Sequence, residues 1–170
     1  MLPYLLSERA PHWNPMATGV YVGLTRAHRR AHLVRAALEG VCQQLALVLD
    51  AVCEAGYPVS DMRATGGLLR DHRVRQLLTD VIGRDIGFTA ATDGSAFGAA
   101  LLGMEALGLI DSLEVAADLV PVVEILRPDE KAAATYRRQR SVFDGLFDTL
   151  APTFRTLHEQ GQETPGRPAP

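Results

Sequence analysis

Two glycine-bearing stretches constrain this chain most: Ala64-Thr65-Gly66-Gly67-Leu68-Leu69-Arg70-Asp71 and Asp93-Gly94-Ser95-Ala96-Phe97-Gly98-Ala99-Ala100. Each stands where a short β-type run gives way to a helical pattern. Residues 62–65 lead into the first, and residues 85–90, partly β-branched or aromatic, lead into the second. Alternation of this kind predicts an α/β arrangement with parallel strands. Paired glycines at a strand-to-helix junction let the backbone come close to a flat or anionic ligand. The small residues that open the second helix predict tight packing beside the first. The two junctions together predict one wall of a nucleotide-binding cleft, without its opposite wall.

The flanking pattern fills in the rest. Residues 1–18 are broken by Pro3, Pro11 and Pro15 and hold no period. Gly19-Val20-Tyr21-Val22-Gly23-Leu24-Thr25 reads as a strand. A long helix over about 28–54 places Leu33, Ala37, Val41, Leu45, Val48 and Val52 on one apolar face, with Gly56 and Pro58 beyond its end. A second helix over 71–82 turns Val74, Leu77, Leu78 and Val81 inward and stops at Gly83. A third, over 95–107, begins with Ser95 as its N-cap. Residues 112–118 read as a short helix, and residues 120–125 as a strand that Pro121 confines to a sheet edge. Pro128-Asp129-Glu130 opens a last helix with Ala132, Tyr136, Phe143, Phe147 and Leu150 on one face, which Pro152 is expected to end or kink.

Charge and composition narrow the classes. A net charge of −3 with no basic stripe disfavours a nucleic-acid partner. The arginines at 26, 29, 30 and 35, and at 137, 138 and 140, read as solvated helix faces. No apolar run is expected to reach the ~20 residues that span a membrane, and no signal peptide is recognised. Cys42 and Cys53 have no metal or redox spacing, so two buried thiols in a reducing cytoplasm are expected.

One further motif fixes a strand, a spacer and a helix together. Gly19-Val20-Tyr21-Val22-Gly23-Leu24 is followed, after seven residues, by His32-Leu33-Val34-Arg35-Ala36-Ala37-Leu38-Glu39. This resembles the second signature of the FGGY carbohydrate kinases. Glu8-Arg9-Ala10-Pro11-His12-Trp13-Asn14-Pro15 resembles the loop before it. The resemblance covers about residues 3–150 and is strongest to the gluconokinase branch. It implies part of an actin-like, ribonuclease-H-like α/β domain: a mixed sheet flanked by helices. The C-terminal kinase domain would occupy residues 1–158, incomplete on its N-terminal side, with a disordered tail over 159–170.

The function implied is phosphoryl transfer from ATP, with Mg²⁺, to a hydroxyl of a sugar acid or polyol. Gly66 and Gly67 would lie against the adenine nucleotide, Asp71 near its base and ribose, and Leu68 and Arg70 in the same turn. Asp71 stands where serine or asparagine is usual, and its added negative charge would need Mg²⁺ or Arg70 to offset it. Leu68 stands where the family often has a third glycine, and Val74 replaces a common tryptophan. No residue is identified as the catalytic base and none as a metal ligand. The missing parts would come from a separate N-terminal kinase half, or the chain would pair as a homodimer. The alternative is a catalytically inactive remnant that binds nucleotide or a protein partner.

Several residues stay open at this stage. His28 and His32 share a helical face but lack a third metal ligand, and read as helix-start residues. Trp13 is expected to pack over its own domain rather than stack on a ligand. Glu8 and Arg9 either reach the cleft or tie the loop to the core. Ser95 has no base spaced to activate it as a nucleophile.

Overall fold

The computed structural model describes residues 1–90 and 94–163. Among the described residues, five helices and three strands follow one another: α1 (Arg30–Glu54), β1 (Arg63–Ala64), α2 (His72–Ile82), β2 (Ile86–Thr89), α3 (Gly94–Ala106), α4 (Ala116–Leu119), β3 (Val122–Leu126) and α5 (Glu130–Glu163). Short 3₁₀ turns at Gly67–Arg70 and Leu113–Val115 precede α2 and α4. The sheet order is β1-β2-β3, with β1 parallel and β3 antiparallel to β2. The expected α/β class and mixed, helix-flanked sheet are therefore present, with β3 at an edge.

One core lies where α1, α2 and α5 meet the sheet. It gathers Cys42, Ala46, Leu77, Leu78, Val81, Ile86, Phe88 and Tyr136. A second core joins the two ends of the chain: Leu2, Tyr4 and Ala17 pack against Leu47, Phe143, Phe147 and Phe154. The first residues can lie on α1 because position 40 is glycine. A Cβ there would sit 2.3 Å from the Met1 carbonyl oxygen. Gln44 then fastens the loop. It accepts from Tyr4 Oη at 3.0 Å and donates to Glu8 Oε1 at 3.0 Å. Glu8 is 3% exposed and also accepts from the Asn14 backbone, so it ties loop to core.

Polar side chains hold the helices in register. Asp80 Oδ1 accepts from Gln76 and from the Asp129 backbone, and Asp129 Oδ1 in turn caps α5 through the Ala132 N–H. Tyr136 Oη donates to Glu39 and accepts from Arg35. Arg140 reaches Asp50, Gln43 and the Val81 carbonyl. Arg35 and Arg140 thus cross between α1 and α5. Arg140 is largely covered, contrary to the solvated face its clustering suggested, whereas Arg35 stays half exposed.

Other expectations change for physical reasons. Residues 19–25 form no strand, because a strand needs a hydrogen-bonded neighbour and only Leu2 bridges to Val20. The buried face of α1 is Gly40, Cys42, Gln43, Ala46 and Leu47, whereas Leu45 and Val52 face outward. Apolar residues surround much of this helix, so its length and composition would suffice to cross a bilayer, contrary to the sequence reading. Here it packs on α2 and α5. Trp13 is 75% exposed, and His12 instead stacks flat on Phe147 at 3.8 Å. Cys42 is buried, which pushes its thiol up to about 11, and Cys53 is only half-buried. Ser95 is the second residue of α3 rather than its cap, and Asp93 lies outside the described residues. Pro152 does not end α5, which runs to Glu163 and across the boundary expected at 159. Residues 164–170 lie outside the described residues.

Candidate nucleotide-facing site

Parallel pairing aligns the carboxyl ends of β1 and β2, with Arg63 opposite Gly87 and Ala64 opposite Phe88. The segments leaving them, Thr65-Gly66 and Thr89-Ala90, are therefore neighbours. Ligands of open α/β sheets bind outside the carboxyl ends of parallel strands. Gly66 has φ +130° and ψ 163°, a conformation open almost only to glycine. It turns the chain sharply into the 3₁₀ segment, where the Leu69 N–H returns to the Gly66 carbonyl at 3.0 Å. Asp71 then caps α2 by accepting from the Arg73 N–H at 2.8 Å.

Two cavities open at this end of the sheet. A small one of about 80 Å³ is bounded by Gly66, Leu69, Arg70, Arg75, Phe88 and Thr89. A larger one of about 530 Å³ lies between the strand ends and α3, against Thr65, Thr89, Phe97, Gly98, Leu101 and Ala117. Of the residues singled out from sequence, Gly66 and Arg70 line the small cavity. Gly67, Leu68 and Asp71 line neither, and Leu68 is half exposed. Thr65 and Thr89, at the two strand ends, line both. Thr89 and Arg75 are not among the residues the sequence points to, although both fall inside predicted elements, the strand over 85–90 and the helix over 71–82.

Arg73, not Arg70, offsets Asp71. Its guanidinium reaches both carboxylate oxygens, at 2.8 and 3.2 Å. A capping aspartate and an arginine two residues later share the first turn, so the side chain folds straight back. The Arg73 hydrogen bonds, side chain first and then backbone, hold the Asp71 carboxyl down to about 2. A depressed carboxyl stabilises the fold above its ordinary value near 3.8 and loses that contribution as pH falls through about 2. An NMR titration is expected to find Asp71 near 2 and to find it returned toward the ordinary range in Arg73→Gln.

Thr89 Oγ1 is buried without a hydrogen-bond partner. An isosteric apolar side chain removes that desolvation penalty. Thr89→Val is thus expected to stabilise the protein by about 1 kcal/mol, measured by chemical denaturation. His28 and His32 are engaged locally: their Nδ1 atoms accept from the Thr25 and Arg29 N–H groups. Among the described residues no three His, Cys, Asp or Glu side chains converge as metal ligands would.

The C-terminal domain of the FGGY family of carbohydrate kinases matches residues 1–107, which include the glycine turn and both parallel strands. The chain belongs to the FGGY carbohydrate kinases. This FGGY chain is 39% identical over 149 residues to the gluconokinase of Bacillus licheniformis, across 87% of its own length and 29% of that protein's. Its structure is similar to that of gluconate kinase from Lactobacillus acidophilus, with a TM-score of 0.79 at 30% identity over 92% of this chain and 32% of the other. It is also similar to Plasmodium falciparum glycerol kinase crystallised with ADP, with a TM-score of 0.65 at 25% identity over 87% of this chain and 30% of the other. The FGGY chain therefore spans less than a third of the length of these relatives, and the actin-like fold expected from its motifs is the one it shares with them.

Proposed function

We propose that this chain forms the nucleotide-facing wall of an ATP-dependent kinase acting on a sugar acid of the gluconate type. The carrying observation is Gly67. Its backbone lies outside the left-handed region, and nothing stands within 4 Å of where a Cβ would be. Neither conformation nor packing therefore asks for glycine at this position. A planar base laid against the turn does, because it needs the backbone bare. Gly66 supplies the sharp turn and Gly67 the flat contact. The Arg73 pairing removes the like-charge objection to Asp71 beside a phosphorylated ligand. The glycerol kinase solved with ADP supports the assignment by family.

Phosphoryl transfer also needs a base for the sugar hydroxyl and donors that hold the γ-phosphate in line. No described residue of this chain is assigned to either task. The described residues likewise offer no carboxylate cage for Mg²⁺. We assign these parts to the remaining two-thirds of the enzyme, carried on this or on a separate polypeptide, with a homodimer as the alternative assembly. Two free thiols fit a reducing cytoplasmic setting.

The test is a calorimetric titration of the purified chain with Mg-ADP, with folding verified by circular dichroism. Saturable one-to-one binding is expected. A folded chain that takes up no heat above dilution at millimolar Mg-ADP would overturn the assignment of the glycine turn as a nucleotide wall.

A further inference from the structure

We propose that Arg75, braced by Glu124, is a positioning residue that fixes the glycine turn in the pose that meets a nucleotide. The inference rests on the nucleotide reading of that turn. Arg75 lies in the first part of α2, yet its side chain links three other elements. Nε donates to the Leu69 carbonyl within the 3₁₀ turn. Nη1 donates to Glu124 Oε2 on β3 at 2.6 Å. The guanidinium lies 5.7 Å from the ring centroid of Phe88 on β2, within reach of a cation–π contact. The same side chain forms part of the small cavity's wall beside Gly66 and Arg70. Glu124 is itself held from two sides, since its other oxygen is 3.4 Å from His72 Nε2.

The turn needs such a brace. Gly66 and Gly67 have no packed neighbours at their Cβ positions, so side-chain packing does not hold them. Glycine also leaves the backbone freer than any other residue. A planar fork can donate in two directions while its face lies on an aromatic ring, which a lysine ammonium cannot do. Glu124 is two-sevenths exposed and Arg75 one-quarter exposed, so the pair is partly shielded from solvent. The strut runs from the sheet, through Arg75, to the Leu69 carbonyl two residues beyond the glycine pair.

The experiment compares the wild-type chain with Arg75→Met, Arg75→Lys and Glu124→Gln, reading backbone hydrogen exchange and Mg-ADP affinity together. In Arg75→Met, residues 66–70 are expected to exchange faster while residues 77–81 in α2 keep their protection. Mg-ADP affinity should fall about tenfold, the worth of one charge-assisted hydrogen bond. Arg75→Lys keeps the charge pair with Glu124 but cannot also reach the Leu69 carbonyl, so it should restore thermal stability without restoring affinity. Glu124→Gln should lower affinity with Arg75 still present. Unchanged exchange at 66–70 in Arg75→Met would overturn the strut. Altered exchange with wild-type affinity would overturn its role toward the nucleotide. If the wild type itself binds no Mg-ADP, the nucleotide reading fails with it, while the exchange comparison still decides whether Arg75 sets the turn.

Discussion

Phe154→Ala is expected to destabilise the chain by about 3–5 kcal/mol, seen as a drop in the urea midpoint with little change in slope. Phe154 is 1% exposed although it lies two residues beyond Pro152. Its ring meets Tyr4 edge-on at 6.5 Å and Phe147 at 6.4 Å. Removing it opens a cavity among aromatics contributed by both ends of the chain, and those ends cannot collapse independently to fill it. The same burial explains why α5 survives its proline. Proline removes one backbone donor and crowds the preceding turn at a cost of about 3 kcal/mol. Burying a phenylalanine on the far side returns a similar amount. A destabilisation below about 1 kcal/mol would mean that the segment after Pro152 does not dock as described.

Gly67→Arg is expected to leave stability within about 0.5 kcal/mol of wild type while lowering Mg-ADP affinity by more than about a hundredfold. The first half follows from the open space around Gly67 and its ordinary backbone. The second follows if a base lies on that bare surface, because the arginine side chain would occupy it. Gly66→Ala separates the two glycines. At φ +130° a Cβ is strained whatever the space, so this variant should lose about 1–3 kcal/mol of stability. Calorimetry on both variants, beside thermal melts, reads the contrast directly. Retained Mg-ADP binding in Gly67→Arg would remove the base from this turn.

Much of this was legible in the sequence where one local signal decided the outcome. Asp71 and Gly83 bracket α2 because an aspartate cap and a left-handed glycine each act within one turn. Gly66, just past β1, borders the small cavity for the same local reason, its positive φ turning the chain within one residue. Features decided by distant partners were less legible. Val20 cannot extend into a strand without a neighbour, and the alternation of residues 19–25 does not show that the neighbour is missing. The inward face of α1 was misplaced because apolar residues surround the helix, and α2 and α5 choose which of them to cover. Arg35, Arg75 and Arg140 look like surface charges in sequence. Their partners lie 101, 49 and 90 residues away, at Tyr136, Glu124 and Asp50.

The second core has a consequence for synthesis. Leu2 and Tyr4 are synthesised well before the phenylalanines of α5 that cover them. Pairings this far apart in sequence are slow to close. A nascent chain emerging from a ribosome can assemble β1, β2 and α2 early, but the loop carrying Glu8 has no lid until residue 154 has left the exit tunnel. During that interval the aromatic seat lies open to chaperones and to neighbouring chains. A premature stop near residue 140 would therefore yield a polypeptide with its sheet and glycine turn in place but its opening segment unanchored.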